Sequence, residues 1–425
     1  MKYDLVVVGG GTSGVSCAYI ASKLGLRVLL VEKTDVLGGA ITQGLVIPVM
    51  KLNSRNINTD FYNELIIMAS KYNAQATYGD LNTGWFNPEN LKIAFDSLIK
   101  GVNCNVLFST EPISCQYNAL NSLFELKLNH KILSIHIETD YIVDATSNGK
   151  IFQLLNYNFQ EKNDKQQATS LRFIMSGVNS NEFSKWILEL DKNRDITTSY
   201  NVDGETLLST AYTWDESKKW ALEPIFKEAI KNNDLEYNDT AYFQVFSVPN
   251  MPNSIAFNAP RIVLNDYEDI LDPFVYSRAL IKGRESIYRL SNFCKKYLKG
   301  FENSYISHIS DILGVRESYR VKGKYTFTKD DILNPKTFKN IAFSCDYPID
   351  IHSNNKEDKL EFVKNTYDIP IDCLISEDNN RLYGVGRIIS ADFEAQAALR
   401  TQMSCFSMGE AAAKDIFYKL KNQSK

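Results

Sequence analysis

Paired cysteines are the first absence. The seven cysteines stand at 17, 104, 115, 294, 345, 373 and 405 with no CxxC spacing among them. A disulfide scaffold is therefore not expected, and a reduced, cytoplasmic compartment fits better. Histidine is scarce, and the four at 130, 136, 308 and 352 form no HExxH pair, so no metal site of the usual spacing is expected. No apolar run approaches the roughly 18 residues of a membrane helix. The run 5–8 ahead of Gly9 is too short for a signal-peptide core, so no membrane partner is expected. Basic excess is missing as well: 47 Lys+Arg against 51 Asp+Glu leave a net charge of −4, which weighs against a nucleic-acid partner. With 44% apolar and 23% charged residues, the chain is neither disordered nor fibrous. At about 150 residues per domain its length predicts two or three domains.

What is present begins at once. Residues 4–8 read DLVVV, a run suited to a fully buried parallel strand. Gly9-Gly10-Gly11-Thr12-Ser13-Gly14 follows, then VSCAYIASKLG at helical spacing, then RVLLVEK, a second buried strand ending at Glu32. Gly9 permits the tight turn, Gly11 the approach of a pyrophosphate, and Gly14 close packing of helix on strand. The N–H groups at the helix start, from Thr12 and Ser13 onward, face the phosphates. Glu32 stands 18 residues after Gly14, where a carboxylate accepts bonds from a ribose diol. Strand, glycines, helix, strand and acid agree on dinucleotide binding.

Past Glu32 and Lys33 comes a second glycine pair, Gly38-Gly39-Ala40-Ile41-Thr42-Gln43-Gly44, which is no part of the NAD fingerprint. Residues 86–99 predict a helix with Asn87 as N-cap and Pro88 in its first position. Short alternating runs over 104–143 predict an antiparallel meander, and YIVDATSNG (141–149) another buried strand ending at Asp144-Ala145-Thr146-Ser147. Near the other end, a strand runs into Gly384-Val385-Gly386-Arg387, a loop holds Ser390-Ala391-Asp392, and a small-residue helix begins around Ala395. No second complete GxGxxG flanked by strand and helix occurs, so nicotinamide has no dedicated domain. These blocks, with Gly314-Val315-Arg316-Glu317-Ser318-Tyr319-Arg320 leading to Tyr325, resemble the FAD-dependent oxidoreductases. They are glutathione-reductase-type Rossmann flavoproteins related to fumarate reductase and to the thiazole-biosynthesis and glucose-inhibited-division flavoproteins. The matching blocks are 38–45, 314–325 and 386–400, and Ser147 replaces the family's usual glycine.

The resemblance implies an α/β fold: a Rossmann-like FAD-binding domain with a β-meander, made from residues 1–150 and 311–425, and an inserted mixed α+β substrate domain, 151–310. It implies non-covalent FAD, since the glycine-pair loop holds no His or Cys. The cofactor would be held by Gly9, Gly11, Thr12, Ser13, Gly14, Glu32, Lys33, Gly38, Gly39, Ala40, Thr42, Ala145, Thr146, Gly386, Arg387, Asp392 and Ala395, with the last helix aiming its N-terminus at the flavin pyrimidine. Within the insert, 170–177 and 241–248 read as strands, EFSKWILEL and residues 216–233 as helical, and 275–298 as a longer helix. The Asn-rich stretch 352–356 reads as an exposed loop, and the tail KNQSK as frayed.

The expected chemistry is hydride transfer between flavin N5 and a small organic substrate, with the chain polarising that substrate and moving a proton. Candidates are Arg316, Glu317 and Arg320, where the chain returns from the insert, Arg261 and Arg172 in the insert, and Tyr325 as general acid. A structural ion-pair cluster is the competing use of the first three, and a core tyrosine that of Tyr325. Gln43 would shape the pocket, His308 reads as a strand histidine, and Cys405 as a buried helix thiol. Two further readings stay open: a flavin-dependent RNA-modifying protein, against which the acidic balance speaks, and a non-catalytic binding protein on the same fold, against which the intact motifs speak.

Overall fold

The computed structural model describes residues 1–50, 55–78, 81–162, 166–192, 196–202, 205–213, 222–265, 268–354 and 358–423. The expected helical stretch 216–233 therefore lies partly outside the described residues; its second part forms the helix Glu223–Lys231.

A seven-stranded sheet carries the nucleotide motifs. Its order is Cys104–Leu107, Val28–Val31, Lys2–Val8, Leu133–Asp144, Leu123–His130 and Thr110–Asn118, with Leu382–Gly384 added beside Leu133–Asp144. Lys2–Val8 is parallel to both neighbours, with Leu5 opposite Val28 on one side and Tyr141 on the other. Its β-branched run is buried on both faces: Leu5 and Val7 belong to one apolar core, Val6 and Val8 to another. This is the condition that selects a continuous apolar strand over an alternating one.

Two expectations are corrected here. The meander's last strand and the buried strand at 141–144 are a single strand, Leu133–Asp144. Its first half pairs antiparallel with Leu123–His130, and its second half parallel with Lys2–Val8 and Leu382–Gly384. Cys104–Leu107, read with the meander, instead extends the parallel part beside Val28–Val31.

The helix Thr12–Lys23 covers this sheet and is itself covered by the C-terminal helix Gln402–Gln423. A Cβ at Gly409 would stand 2.0 Å from the Ser13 carbonyl oxygen, and the Ser16 hydroxyl donates to the Phe406 carbonyl at 2.7 Å. The C-terminal part holds two helices: Phe393–Leu399 ends at Arg400, and Gln402–Gln423 starts anew with the Cys405 N–H on the Thr401 carbonyl. It runs on into the tail expected to fray.

The second sheet is wholly antiparallel, in the order Thr197–Val202, Glu205–Thr213, Tyr242–Ser247, Ser254–Asn258, Phe173–Ser176 and Tyr305–Ile309. One face packs Phe173, Phe243 and Phe257 against Phe183, Phe226 and Phe293 from the helices Ser180–Leu190, Glu223–Lys231 and Pro273–Tyr297. The other face sets Ile174, Phe246 and Ala256 against Leu45, Ile47, Tyr78 and Trp85. The second sheet is thus seated on the segment that follows the glycine-pair loop.

Candidate cofactor and substrate site

The two glycine motifs, 24 residues or more apart in sequence, meet. The Gly38 N–H donates to the Gly10 carbonyl at 2.8 Å, Gly11 and Gly38 form a parallel bridge, and a Cβ at Gly39 would stand 3.1 Å from the Gly11 Cα. Gly38 and Gly39 take left-handed φ values of 95° and 52°, which a residue with a Cβ adopts only under strain. Gly14 has no room for a side chain, since a Cβ would come within 1.8 Å of the Gly9 carbonyl oxygen. Gly11 is the opposite case: a Cβ there meets nothing within 4 Å. It precedes a twelve-residue helix whose first turn has no side-chain cap and no acidic residue. An open glycine before an uncapped helix start is a cradle for a pyrophosphate.

The surrounding residues shape this cradle. Glu32 accepts from the Gly10 N–H at 2.6 Å through one oxygen, and from the Thr34 N–H and hydroxyl, each at 2.8 Å, through the other. It tethers the loop and keeps a lone pair for a ribose hydroxyl. The Thr42 hydroxyl donates to the Leu37 carbonyl at 2.6 Å and staples the glycine-pair loop from inside. Lys33 and Ala40 are exposed beside it. The Ala145 N–H donates to Val8 and its carbonyl crowds Gly9, while the Thr146 hydroxyl bonds buried Asp144 at 2.6 Å. Ser147, standing where the family has glycine, takes φ 60°, so the left-handed turn is kept without the glycine.

The C-terminal motif arrives at the same place. Gly386, at φ 77°, would bring a Cβ within 3.0 Å of the Ser13 hydroxyl. Cys405, in the first turn of Gln402–Gln423, lies against Ser13 and Thr12, and burial pushes its thiol up to about 11. Thr12, Ser13, Gly386 and the start of the last helix are therefore together, as expected. Three residues of the expected cofactor set, Asp392, Ala395 and Arg387, make contacts within the protein. Asp392 caps Phe393–Leu399 by accepting from the Ala395 N–H at 2.7 Å, and takes the Lys329 N–H at 2.8 Å. One oxygen thus serves this helix start, with Ala395, and the other serves the start of Lys329–Leu333. Arg387 is turned into protein: its Nε donates to the Ser147 carbonyl at 3.1 Å and the Ser318 hydroxyl at 3.2 Å, and its Nη atoms to the Val315 carbonyl and Asn148 Oδ1. It ties three loops at the cradle's rim, and burial draws its pKa down to about 10.

The arginines divide into two groups. Arg320 forms a buried ion pair with Glu317 at 2.7 Å, and burial holds the Glu317 carboxyl up at about 7. Arg316, next in sequence, points elsewhere. Its guanidinium donates to the Ala168 carbonyl at 2.5 Å and shares its surroundings with Arg172, Arg261, Arg400 and Asp350. Burial and these like charges draw its pKa down to about 9. Arg261 pairs with Asp358 at 2.5 Å and meets His352 Nδ1 at 3.3 Å. His352 Nε2 faces Asp350 at 3.3 Å, and Arg400 reaches Asp350 at 3.5 Å. An arginine can only donate, so Nδ1 accepts and the imidazole is neutral with its proton on Nε2. Burial and the nearby Arg316 outweigh the pull of Asp350 and hold its pKa down near 4.

Tyr325 does not join either group. Its hydroxyl donates to Asp331 at 2.9 Å and accepts from Lys336 at 3.4 Å, the bonded hydroxyl of the competing structural use. His308 is the expected strand histidine, beside Ser307. Of the stretch 352–356 expected as an exposed loop, 355 and 356 lie outside the described residues, and 352–354 are the larger correction: they are half-buried, with the His352 carbonyl accepting from the Ala168 N–H. His352, Asp350, Arg400, Gln167, which takes Arg400 at 3.5 Å, and Tyr242, whose ring meets His352 at 5.4 Å, are absent from the expected set. The signals were faint: Asp350 alternates with two isoleucines in Ile349–Ile351, and Arg400 closes the 386–400 block.

An open glycine cradle at the carboxyl end of a parallel sheet defines a dinucleotide-binding α/β protein, and the second glycine loop with the returning C-terminal motif narrows it to a flavoprotein fold. The chain belongs to the FAD dependent oxidoreductase family, whose model matches residues 4–425. It is similar to a D-amino acid dehydrogenase of Helicobacter pylori, 25% identical over 188 residues, 35% of this chain and 43% of that protein. It also matches digeranylgeranylglycerophospholipid reductase 2 of Methanothermobacter thermautotrophicus, 53% identical over 38 residues, 9% of this chain and 10% of that one. The matches thus span less than half the length of these curated relatives. Among solved structures it is similar to a geranylgeranyl bacteriochlorophyll reductase-like protein of Thermoplasma acidophilum, with 12% identity, 99% of this chain, 79% of that one and TM-score 0.49.

Proposed function

We propose that the chain is an oxidoreductase that holds FAD non-covalently over the glycine cradle and acts on a small organic substrate lodged against the second sheet. Residues 1–150 and 311–425 form the cofactor unit in this reading, and 151–310 cover the substrate. The carrying observation is the meeting of both glycine loops at Gly11, open above an uncapped helix start.

When bound, FAD supplies a hydride acceptor and donor at N5. The chain's own residues do the rest. The first turn of Thr12–Lys23 would hold the pyrophosphate, Glu32 the ribose, and the start of Gln402–Gln423 the pyrimidine edge. Arg387 positions the rim loops. Arg316 and Arg261 orient the substrate, and Glu317 holds a proton that can leave near neutral pH.

Absorbance of the purified protein tests this directly. We expect a flavin spectrum, release of intact FAD on acid denaturation, and bleaching by dithionite with reoxidation by an acceptor. Failure to bind flavin under any loading condition would overturn the reading. Flavin that reduces but reoxidises with no acceptor would mark a binding protein, and tight, salt-sensitive tRNA binding would restore the RNA-modifying one.

A further inference from the structure

We infer that Arg172, Arg261, Arg316 and Arg400 form an anion subsite for a small organic acid carrying two negative charges. As the proposed substrate's site, it rests on the flavoenzyme reading; as a binding site, it stands on its own geometry.

Charge balance is the first observation. Asp358 answers Arg261 and Asp350 answers Arg400, and His352 between them is neutral. Arg316 and Arg172 meet only carbonyl oxygens, of Ala168 at 2.5 Å and Leu45 at 3.4 Å. Neither has a carboxylate within ion-pair distance among the described residues. Both sit deep in the protein yet keep partial exposure, as side chains lining a cleft do. Asp350, the acid near Arg316, is already engaged by Arg400 and His352, and two buried guanidiniums without a paired carboxylate are costly unless something supplies one.

Unmet donors are the second observation, and an independent one. Gln167 is only 4% exposed, and among the described residues its Nε2 has no hydrogen-bond partner, nor has the buried Nε of Arg400. The two residues adjoin, since Arg400 reaches Gln167 Oε1 at 3.5 Å. A buried donor calls for an acceptor. Water would satisfy these groups but leave the charge, whereas a carboxylate does both and fits the planar guanidinium fork.

Position is the third. Arg172 bonds the carbonyl of Leu45, at the end of the glycine-pair loop. Arg400 leads into the helix whose first turn lies on Thr12 and Ser13. The subsite thus adjoins the cofactor loops.

Thermal unfolding of the FAD-loaded and FAD-free full chain, at constant ionic strength, tests the inference. The probes are malonate, succinate, glutarate, inorganic phosphate and neutral succinamide. We expect a saturable rise in Tm with at least one dicarboxylate and none with succinamide. Arg172→Gln and Arg316→Gln should each weaken that binding by about thirtyfold or more, while exposed Arg278→Gln leaves it unchanged. The ligand-free Gln variants should melt no lower than wild type, because an uncompensated charge is removed. Should they not fold, Arg316→Lys, which keeps the charge and loses the fork, should bind more weakly than wild type. A response to phosphate alone would assign the subsite to a phosphate ester. No response to any anion, or equal binding by the variants, overturns it. A chain that carries FAD but ignores every anion loses the subsite and keeps the flavin. A chain that takes dicarboxylates but never FAD loses the flavoenzyme reading and keeps the subsite.

Discussion

Gly11 is the position at which folding and cofactor binding separate. Nothing stands within 4 Å of a Cβ there, and its φ of −70° suits any residue. Gly11→Asp should therefore fold with a Tm near wild type yet lose FAD, because a carboxylate would oppose the pyrophosphate at the helix start; retained flavin would show that the pyrophosphate lies elsewhere. His352 and Glu317 make opposite pH predictions. The native chain holds the imidazole, ordinarily near 6.5, down at about 4, so between these values it binds fewer protons than the unfolded chain. Stability from His352 thus rises with pH through that window and is lost as pH falls, by about 3 kcal/mol in all. Glu317 is held up at about 7 against an ordinary 4.5. The native state keeps its proton where the unfolded chain has released it, and stability falls as pH rises from about 4.5 through 7. The two trends nearly cancel in the wild type, so urea unfolding between pH 4.5 and 8 should show His352→Gln exposing a fall in stability with pH and Glu317→Gln exposing a rise. A His352→Gln profile parallel to wild type would refute the neutral imidazole.

Two helices show how local signals and packing divide the work. The cap of Pro88–Lys100 was readable: Asn87 accepts from the Glu89 and Asn90 N–H groups at 3.0 and 3.2 Å. Its amide also donates to the Pro249 carbonyl of the second sheet's loop at 3.2 Å, which no cap rule contains. Asn87→Ala should cost about 1–2 kcal/mol by urea unfolding. Gly409 lies in a stretch read only as a small-residue helix, yet it sets how closely the last helix approaches Thr12–Lys23. Gly409→Ala should cost roughly 1–3 kcal/mol through overpacking and lower FAD retention with it. An unchanged Tm would mean that this packing is looser than the 2.0 Å clearance implies.

Both ends of the chain build the proposed cofactor unit, so cofactor and global stability should be linked. FAD at a hundredfold excess over its Kd should stabilise the chain by about 2.7 kcal/mol. Arg387, which gathers loops 147–148 and 315–318, should matter to the whole in a different way. Arg387→Gln leaves buried carbonyls unmet, and should cost roughly 3 kcal/mol with or without FAD. A loss seen only in the holoenzyme would return Arg387 to direct cofactor contact.

The nucleotide loops were legible in the linear chain because their chemistry is local: glycine spacing, an apolar strand and an acid follow one another within one βαβ unit. The seven-stranded sheet followed from the same periodicities, apart from the continuity of Leu133–Asp144, where one strand serves two pairing partners in succession. The arginine cleft was legible only in fragments. Its members stand at 172, 261, 316 and 400, with Asp350 from the strand Ile349–Ile351 and His352 from a stretch expected to be exposed. No spacing connects them, since they converge only when the second sheet docks and the chain returns beneath it. That burial gathers ordinary surface residue types into one cluster with more arginines than paired carboxylates, and gives it its chemistry.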